Sequence, residues 1–394
     1  MVRRSLAALL APLLAAGTLV APPAGAAPQD PIQHVSWGSG DELAAGSVRG
    51  VAVKRGKLLL TAEAGRRTFE GRRYDKGTWT SPWVSPGFGL TELIPSWQAS
   101  TPGDSWIEVR VRGRERDGSM TSWDTMARWT SGGAIDRTTL SGQDDDGTSV
   151  AVDTWRTPGV TGWQLKVLLM RREGTSARLR VDRIGAVASA VPARSDVATS
   201  ATGPAAGKVL DVPAYSQMIH SGHSPQWGGG GQAWCSPTST SMVLAYRGAL
   251  PGAAAYGWVP GGHPDPWVDH AARMVYDHGY DGAGNWAFNT AYAGGLVKSA
   301  YVTRLHDLRE AEDYIVAGTP LVASIAFGRG DLTGAPISSS GGHLLVIVGF
   351  EADGDVVVND PAAPSNASVR RVYDRGELED AWQTASSGTV YVIG

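Results

Sequence analysis

One cysteine stands at a position where it could act as a nucleophile. Cys235 is the only cysteine among 394 residues and lies in the stretch GQAWCSPT. The residues that follow, 236–247, predict a helix with Pro237 in its first turn, where proline is tolerated. A thiol at a helix N-terminus meets free N–H groups and the positive end of the helix dipole, which favour the reactive thiolate. The alternative is a small buried side chain without chemistry.

A histidine and an aspartate follow at positions that could complete a catalytic group. His343 lies directly before the apolar segment LLVIVGF, and Asp360 directly after VVVN, and both segments predict strands. An antiparallel hairpin through a turn at 351–355 would place base and carboxylate together. If that turn is the centre of the hairpin, Asp360 pairs with Ile347, which is on the same face of the sheet as His343. Asp360 would then lie about 13 Å from His343 along the strand, so strand twist or a β-bulge must bring the two residues together. Asn359 is the alternative orienting residue if the register slips by one.

Composition and spacing argue against several other kinds of site. A single cysteine cannot form a disulfide within the chain, and a net charge of −3 offers no basic field for nucleic acid. The glycine run 228–231 lacks the strand and helix context of a phosphate loop. His220 and His223 have HxxH spacing, but neither a helix nor a further ligand cluster accompanies them in the sequence. The sequence therefore predicts no metal and no cofactor.

The elements that must position these residues fall into two regions joined by a linker. Residues 31–185 predict an all-β domain, a sandwich or jelly roll, because short alternating segments such as WIEVRVR are separated by glycine-rich turns. Residues 186–208, which are small and polar without aromatics, predict the linker. Residues 209–394 predict an α+β domain. Its predicted helices are 236–247, 265–278 and 308–317, and its predicted strands are 321–327, 344–350, 356–359 and 389–393.

The N-terminal region is rich in tryptophan. Nine of the 15 tryptophans lie within residues 31–185. Exposed rings on a β-sandwich could stack on sugars, which predicts a carbohydrate- or cell-wall-binding module. Packing in a core is the alternative, because tryptophan is heavily buried on average.

The first 26 residues predict a cleaved export signal. Arg3 and Arg4 precede an apolar stretch at 6–20, and Ala24-Gly25-Ala26 provides a small-residue cleavage site. The arginine pair is compatible with both the general and the twin-arginine route. We therefore expect a secreted protein without a membrane anchor, with the cell wall as one candidate site of action.

Around Cys235, His343 and Asp360 the chain resembles the secreted branch of the bacteriocin-processing (double-glycine leader) cysteine peptidase-like family, which has a papain-like fold. The resemblance covers residues 209–394, and its motifs occur in the order of the family. The matching stretches are VPAYSQ at 212–217, WCSPT at 234–238, NWAFN at 285–289, GGHL at 341–344 and VNDP at 358–361.

The resemblance implies a role for each of four residues. Cys235 would be the nucleophile, His343 the general base and acid, Asp360 the residue that orients His343, and Gln217 the side-chain donor to the oxyanion. Gln217 stands 18 residues before Cys235, much farther than in papain-like enzymes generally, so the intervening segment must loop out. Gln226 and Gln232 are the alternative donors.

The implied activity is hydrolysis of an amide bond in a peptide or protein through a thioester acyl-enzyme. Processing of leader peptides is not part of this prediction, because the relatives that perform it are joined to a transporter and nothing in this sequence could serve as one. Two alternatives stay open: a wall- or carbohydrate-binding protein with a degenerate peptidase domain, and an enzyme that transfers the acyl group to an amine. The sequence does not indicate the oligomeric state.

Overall fold

The computed structural model describes residues 30–62 and 64–394, and the export signal predicted at 1–26 lies outside them. The described chain is rich in β-structure, with three antiparallel sheets and short helices. None of the helices among these residues is long and apolar enough to cross a membrane.

The N-terminal region contains two seven-stranded sheets. The first has the order β11-β12-β7-β14-β4-β3, with β1 also paired to β14, and the second β10-β9-β8-β13-β6-β2, with β5 paired to β6. A helix, α1 (Gly40–Ala44), begins at a capping box formed by Ser39 and Glu42. The strands are β1 (Ile32–Trp37), β2 (Ser47–Arg49), β3 (Val51–Lys54), β4 (Lys57–Leu60), β5 (Gly65–Phe69), β6 (Arg72–Thr80), β7 (Leu90–Ser100), β8 (Ser105–Arg114), β9 (Asp124–Trp129), β10 (Thr138–Thr139), β11 (Ser149–Ala151), β12 (Thr154–Val160), β13 (Gly162–Arg172) and β14 (Arg180–Ser189).

The two sheets pack face to face at very short range. A Cβ added to Gly113 on β8 would lie 2.9 Å from Trp155 and from Val160 on β12 of the other sheet. Seven of the nine tryptophans of this region are buried, whereas Trp83 and Trp123 are half-exposed beneath cationic side chains. Core packing therefore accounts for most of the tryptophans, and the jelly-roll arrangement stays a prediction.

The C-terminal region contains one six-stranded antiparallel sheet of order β15-β20-β16-β17-β18-β19, with helices packed against it. Three predicted strands, 321–327, 356–359 and 389–393, have the predicted bounds, and the predicted helices begin and end within three residues of the observed ones. The elements are α2 (Cys235–Tyr246), α3 (Pro266–Val275), α4 (Trp286–Gly294), β15 (Ala300–Arg304), α5 (Leu308–Val316), β16 (Leu321–Phe327), β17 (Ser340–Phe350), β18 (Val356–Asn359), β19 (Arg370–Tyr373), α6 (Arg375–Ser386) and β20 (Thr389–Ile393).

The segment assigned to a linker from its composition is more ordered than expected. Residues 186–189 continue strand β14, because small alternating side chains there are buried under β1 and β7. Farther along, the backbone N–H groups of Gly203 and Ala205 donate to the buried carboxylate of Glu312 on α5 at 2.9 Å each. The second half of this segment is therefore attached to the C-terminal region.

The two regions share one hydrophobic core. Trp97 on β7 packs edge-on against Phe288 on α4, with ring centroids 6.1 Å apart. Beside this contact the amide of Gln98 donates to the carbonyls of Gly294 and Lys298 at 3.1 and 3.2 Å. These buried polar groups are satisfied across the boundary, which fixes the N-terminal region against α4.

Candidate active site

Cys235 is the first residue of helix α2 and lines the main cleft of the C-terminal region. The helix begins here because a 3₁₀ turn at Gly231–Ala233 leads into Trp234, whose carbonyl accepts the hydrogen bond of Thr238 at 3.0 Å. One turn into the helix, the hydroxyl of Ser239 donates to the carbonyl of Leu344 at 3.0 Å, which ties α2 to β17. The thiol is half-buried and therefore accessible from the cleft.

The observed register of the β17–β18 hairpin differs from the simplest predicted register and brings His343 and Asp360 closer together. Phe350 pairs with Val356, and a β-bulge then shifts the register so that Val346 pairs with Asn359. Continuing this register places Asp360 beside position 345 instead of 347, two residues from His343 and still on the same face. About 7 Å of strand then separates the two residues, a distance that their side chains bridge.

His343 and Asp360 form a buried hydrogen-bonded pair. His343 Nε2 lies 2.8 Å from Asp360 Oδ1, and both side chains are almost completely buried. Asp360 Oδ1 also accepts a hydrogen bond from the backbone N–H of Ala362 at 2.9 Å, and Asp360 Oδ2 accepts one from the hydroxyl of Tyr373 at 2.7 Å. Three donors therefore hold the carboxylate in place, and His343 Nδ1 is the ring nitrogen left for Cys235. The sequence reasoning did not find Tyr373, which lies on the adjacent strand β19.

The surroundings of His343 favour the protonated, imidazolium form of its ring. Burial alone would lower the pKa of His343, but the Asp360 carboxylate and a hydrogen bond with Cys235 raise that pKa to about 10. Burial would raise the pKa of Asp360, yet the charge and hydrogen bond of His343 hold it below the usual value of a carboxyl. An imidazolium next to a thiol favours the thiolate.

Asn359, the alternative orienting residue, lies on the other face. Its amide donates to the carbonyls of Val212 and Pro213, both at 3.2 Å, and its oxygen accepts Arg370 Nε at 2.8 Å. Asn359 therefore anchors the start of the C-terminal region and does not contact His343.

Gln217 reaches the cleft although a long segment separates it from Cys235. Its backbone N–H donates to the carbonyl of Pro361 at 2.8 Å, and its side-chain amide donates to the carbonyl of Gln232 at 2.7 Å. Gln217 is buried and lines the cleft together with Cys235. Gln226 is exposed and does not line the cleft, and the side chain of Gln232 turns away to the carbonyl of Gly229. Among the three glutamines, Gln217 alone is both buried and part of the cleft lining.

The cleft has a volume of about 810 Å³, and the N-terminal region supplies part of its wall. Residues 151–154 and Arg156 line it opposite the β17 segment that carries His343. Asp153 accepts the backbone N–H of Trp286, the first residue of α4, at 2.7 Å. Burial raises the pKa of Asp153 to about 7. The local sequence held no signal for this arrangement, because the contact joins residues more than 130 positions apart.

A second group of polar side chains lies in the segment between Gln217 and Cys235. His220 and His223 both approach Asp269 of α3, at 2.9 and 3.1 Å. These residues offer ligand atoms that lie within 4.8 Å of one another. The sequence pattern showed only the two histidines, since the carboxylate lies 46 positions farther along the chain.

Two family models match the chain. Residues 33–189 match the peptidase C39 N-terminal domain, and residues 209–390 match the peptidase C39 like family. A search of the curated proteins finds no match.

Several solved structures share limited likeness with the chain. A Bacillus anthracis protein described as a C39-like peptidase shows 17% identity and a TM-score of 0.31, with 48% of this chain and 98% of that chain covered. The Podospora anserina GH26-CBM35 β-(1,4)-mannanase shows 13% identity and a TM-score of 0.19, with 55% and 48% covered. The Agl-KA catalytic domain shows 13% identity and a TM-score of 0.17, with 57% and 37% covered.

Proposed function

We propose that this protein is a papain-like cysteine peptidase with Cys235 as its nucleophile, since residues 33–189 match the peptidase C39 N-terminal domain and residues 209–390 match the peptidase C39 like family. The observation that carries the proposal is the buried pair of His343 and Asp360 at 2.8 Å, with His343 and Cys235 lining the same cleft. A nucleophile, a base and a group that orients the base are the minimum for acyl transfer through a covalent intermediate.

The chemistry proceeds in two halves. The Cys235 thiolate attacks the carbonyl carbon of the scissile amide, and the tetrahedral oxyanion accepts hydrogen bonds from the Gln217 amide and the Cys235 backbone N–H. The C–N bond then breaks while the His343 imidazolium gives its proton to the leaving amine, which leaves a thioester. A water molecule next loses a proton to the neutral ring and attacks the thioester. The C–S bond breaks, the acid product leaves, and the thiolate–imidazolium pair is restored.

The fixed position of the base supports this assignment of roles. Asp360 holds Nε2 of the ring, so Nδ1 is the nitrogen that exchanges the proton with sulfur and substrate. Gln217 is a suitable donor because its amide is buried beside the thiol and its backbone is bonded to Pro361, the neighbour of Asp360. The donor and the orienting carboxylate therefore belong to one rigid unit.

We further propose that the substrate is a peptide or protein met after export, bound between the two regions. Support comes from the predicted signal at 1–26 and from the cleft, one wall of which belongs to the N-terminal region. In this arrangement the N-terminal region shapes substrate recognition directly, in addition to any role in targeting the protein to a wall component.

Digestion of a peptide library tests the activity. We expect cleavage by the full chain and none by the Cys235→Ala variant, whereas Gln226→Ala, which alters an exposed glutamine outside the cleft, should cleave like the unaltered protein. Mass spectrometry with an added amine separates the two possible outcomes of the thioester: an acid product supports hydrolysis, and a new amide product supports transfer.

Alkylation tests the nucleophile without knowledge of the substrate. At pH 6, iodoacetamide should label Cys235 much faster than the thiol of an unfolded peptide, because the adjacent imidazolium favours the thiolate. A labelling rate equal to that of the unfolded peptide contradicts an activated thiol, and absence of cleavage across the library together with that rate overturns the proposal.

A further inference from the structure

The segment that loops out between Gln217 and Cys235 is held to helix α3 by a cluster of three imidazole rings around one carboxylate. We name this the histidine cluster, and its members are His220, His223, His263 and Asp269. Asp269 and His220 are fully buried, while the side chains of His223 and His263 are 16% and 27% exposed. The cluster is thus preformed, and one side of it is open to an ion arriving from solvent.

The three rings all present the same atom to the carboxylate. The Nδ1 atoms of His220, His223 and His263 lie 2.9, 3.1 and 3.7 Å from the oxygens of Asp269. Nitrogen and oxygen ligands about 2.0–2.1 Å from a tetrahedral zinc ion are separated from one another by about 3.3 Å. The separations of His220 and His223 from Asp269 lie near that value, and the ligand atoms of these three residues lie within 4.8 Å of one another, so the three have the spacing of a shared ligand set. His263 lies outside this set, 3.7 Å from the carboxylate.

Hydrogen bonding alone leaves the cluster unsatisfied. Nδ1 of His263 is buried without a partner, although a carboxylate oxygen lies 3.7 Å away. If that nitrogen carries a proton, a buried donor is unpaired, and if it carries a lone pair, the lone pair faces a negative oxygen. The rings of His223 and His263 also stack at 3.6 Å, an arrangement that suits two neutral imidazoles and opposes two protonated ones. A dication bound by His220, His223 and the carboxylate would engage two nitrogen lone pairs and leave an Asp269 oxygen able to accept from Nδ1 of His263.

We propose that the histidine cluster is a binding site for one divalent transition metal ion, with zinc as the preferred ion. Two imidazoles and one carboxylate are a donor set that zinc accepts, and the fourth position would stay open on the exposed side of the cluster. The site is separate from the proposed catalytic group, and it does not depend on the peptidase activity.

The metal would fix the geometry around the thiol from a distance. His220 follows Gln217 by three residues, and its backbone packs against Gly231, where an added Cβ would lie 2.2 Å from the carbonyl carbon of His220. Gly231 in turn opens the 3₁₀ turn that leads into Cys235. An ion that joins His220 to helix α3 therefore restrains the segments that carry the proposed oxyanion donor and the nucleophile.

Metal content of the full chain tests the site. The measurement uses the Cys235→Ala variant, so that the thiol and His343 cannot contribute a competing site. After treatment with EDTA, addition of zinc chloride and gel filtration, we expect about one zinc ion per chain. Cobalt should give the intense visible absorption of a four-coordinate site.

Two further substitutions in the Cys235→Ala background make the test specific. His223→Ala removes a partly exposed ligand and should weaken zinc binding about 100-fold or more, since loss of even an outer-sphere partner costs about 10–100-fold. His278→Ala removes an exposed histidine that faces Asp136 and should leave binding unchanged. Less than about 0.2 zinc per chain, or equal binding by the His223→Ala and control proteins, overturns the proposal.

Hydrogen exchange tests the restraint on the loop. Zinc should slow exchange of the amides in residues 218–231 of the Cys235→Ala protein and have no effect in its His223→Ala derivative. Stoichiometric zinc without that protection would overturn the positioning role. Because the catalytic thiol is absent throughout, failure of these experiments is distinguishable from failure of the proposed peptidase activity.

Discussion

Substitution of Asp360 by asparagine should remove the negative charge beside His343 while keeping a side chain of the same shape at position 360. In the unaltered protein the pKa of His343 lies at about 10, because the Asp360 carboxylate and Cys235 outweigh the effect of burial. At pH 7.5 a group with that pKa is more than about 99% protonated. Without the carboxylate, burial should lower the pKa below the 6.5 of an ordinary histidine, so that at most about 10% of the rings are protonated. The population of imidazolium should therefore fall about tenfold or more.

Two measurements follow this change directly. An NMR titration of the His343 ring should show its pKa fall from about 10 to below 6.5 in Asp360→Asn. The rate of Cys235 alkylation at pH 7.5 should fall about tenfold with it, because fewer chains hold the thiolate–imidazolium pair. Asp353→Asn, in the exposed turn of the same hairpin, is the matched control and should change neither quantity.

The same substitution has a consequence for stability whose sign follows from the pKa. His343 has a higher pKa in the folded chain than in the unfolded one, so its pairing stabilises the fold fully below about pH 6.5, and this contribution disappears as the pH rises through about 10. Urea unfolding at neutral pH should show a loss of about 3–5 kcal/mol in Asp360→Asn, typical of a broken buried pair. A folded variant whose His343 pKa stays above 8 and whose alkylation rate is unchanged would refute the electrostatic reasoning.

Three other changes have defined outcomes. Gln217→Ala should lower kcat about 100- to 1,000-fold if its amide donates to the oxyanion, and Gln226→Ala should not, as peptide hydrolysis rates will show. Tyr373→Phe leaves a buried carboxylate oxygen without its donor and should lower the free energy of unfolding by about 1–3 kcal/mol in urea titrations; an unchanged value contradicts that hydrogen bond. Burial raises the pKa of Asp153 to about 7, so its contribution to stability is present at low pH and is lost as the pH rises from about 4 to about 7. Asp153→Asn should remove up to about 1.4 kcal/mol per pH unit of that slope; equal slopes would show that Asp153 is not buried as a neutral acid beside Trp286.

Local sequence patterns predicted most elements of the C-terminal region and the three residues at the centre of the site. Strands 321–327 and 356–359 were evident because their apolar runs are bounded by turn residues. The hairpin also placed His343 and Asp360 on the same face, although its simplest register left them about 13 Å apart along the strand and His343 lies inside β17 and not before it. The β-bulge that brings the two side chains together has no signature in the sequence, since it arises from how the strands pack.

Features that depend on long-range contacts were beyond reach of the sequence. The ordered second half of the predicted linker depends on a carboxylate more than 100 positions away, on Glu312. His263 and Asp269 join His220 only because α3 folds against the looped segment, and neither residue belongs to a recognisable ligand motif. Asp153 likewise reaches α4 across the boundary between the two regions. The composition of a segment indicates only its local structural preference. These contacts depend on residues from distant parts of the chain, so local composition does not predict them.

The shared core of the two regions has a consequence for how the protein can be handled and how it can evolve. A fragment starting at residue 209 would present Phe288 and the carbonyls that bind Gln98 to water, so it should be poorly soluble on its own. Heating the intact chain should give one cooperative melting transition, since neither half retains a complete interior without the other. Recombination could therefore transfer residues 31–394 between proteins as a unit, whereas transfer of the C-terminal region alone would remove one wall of the cleft.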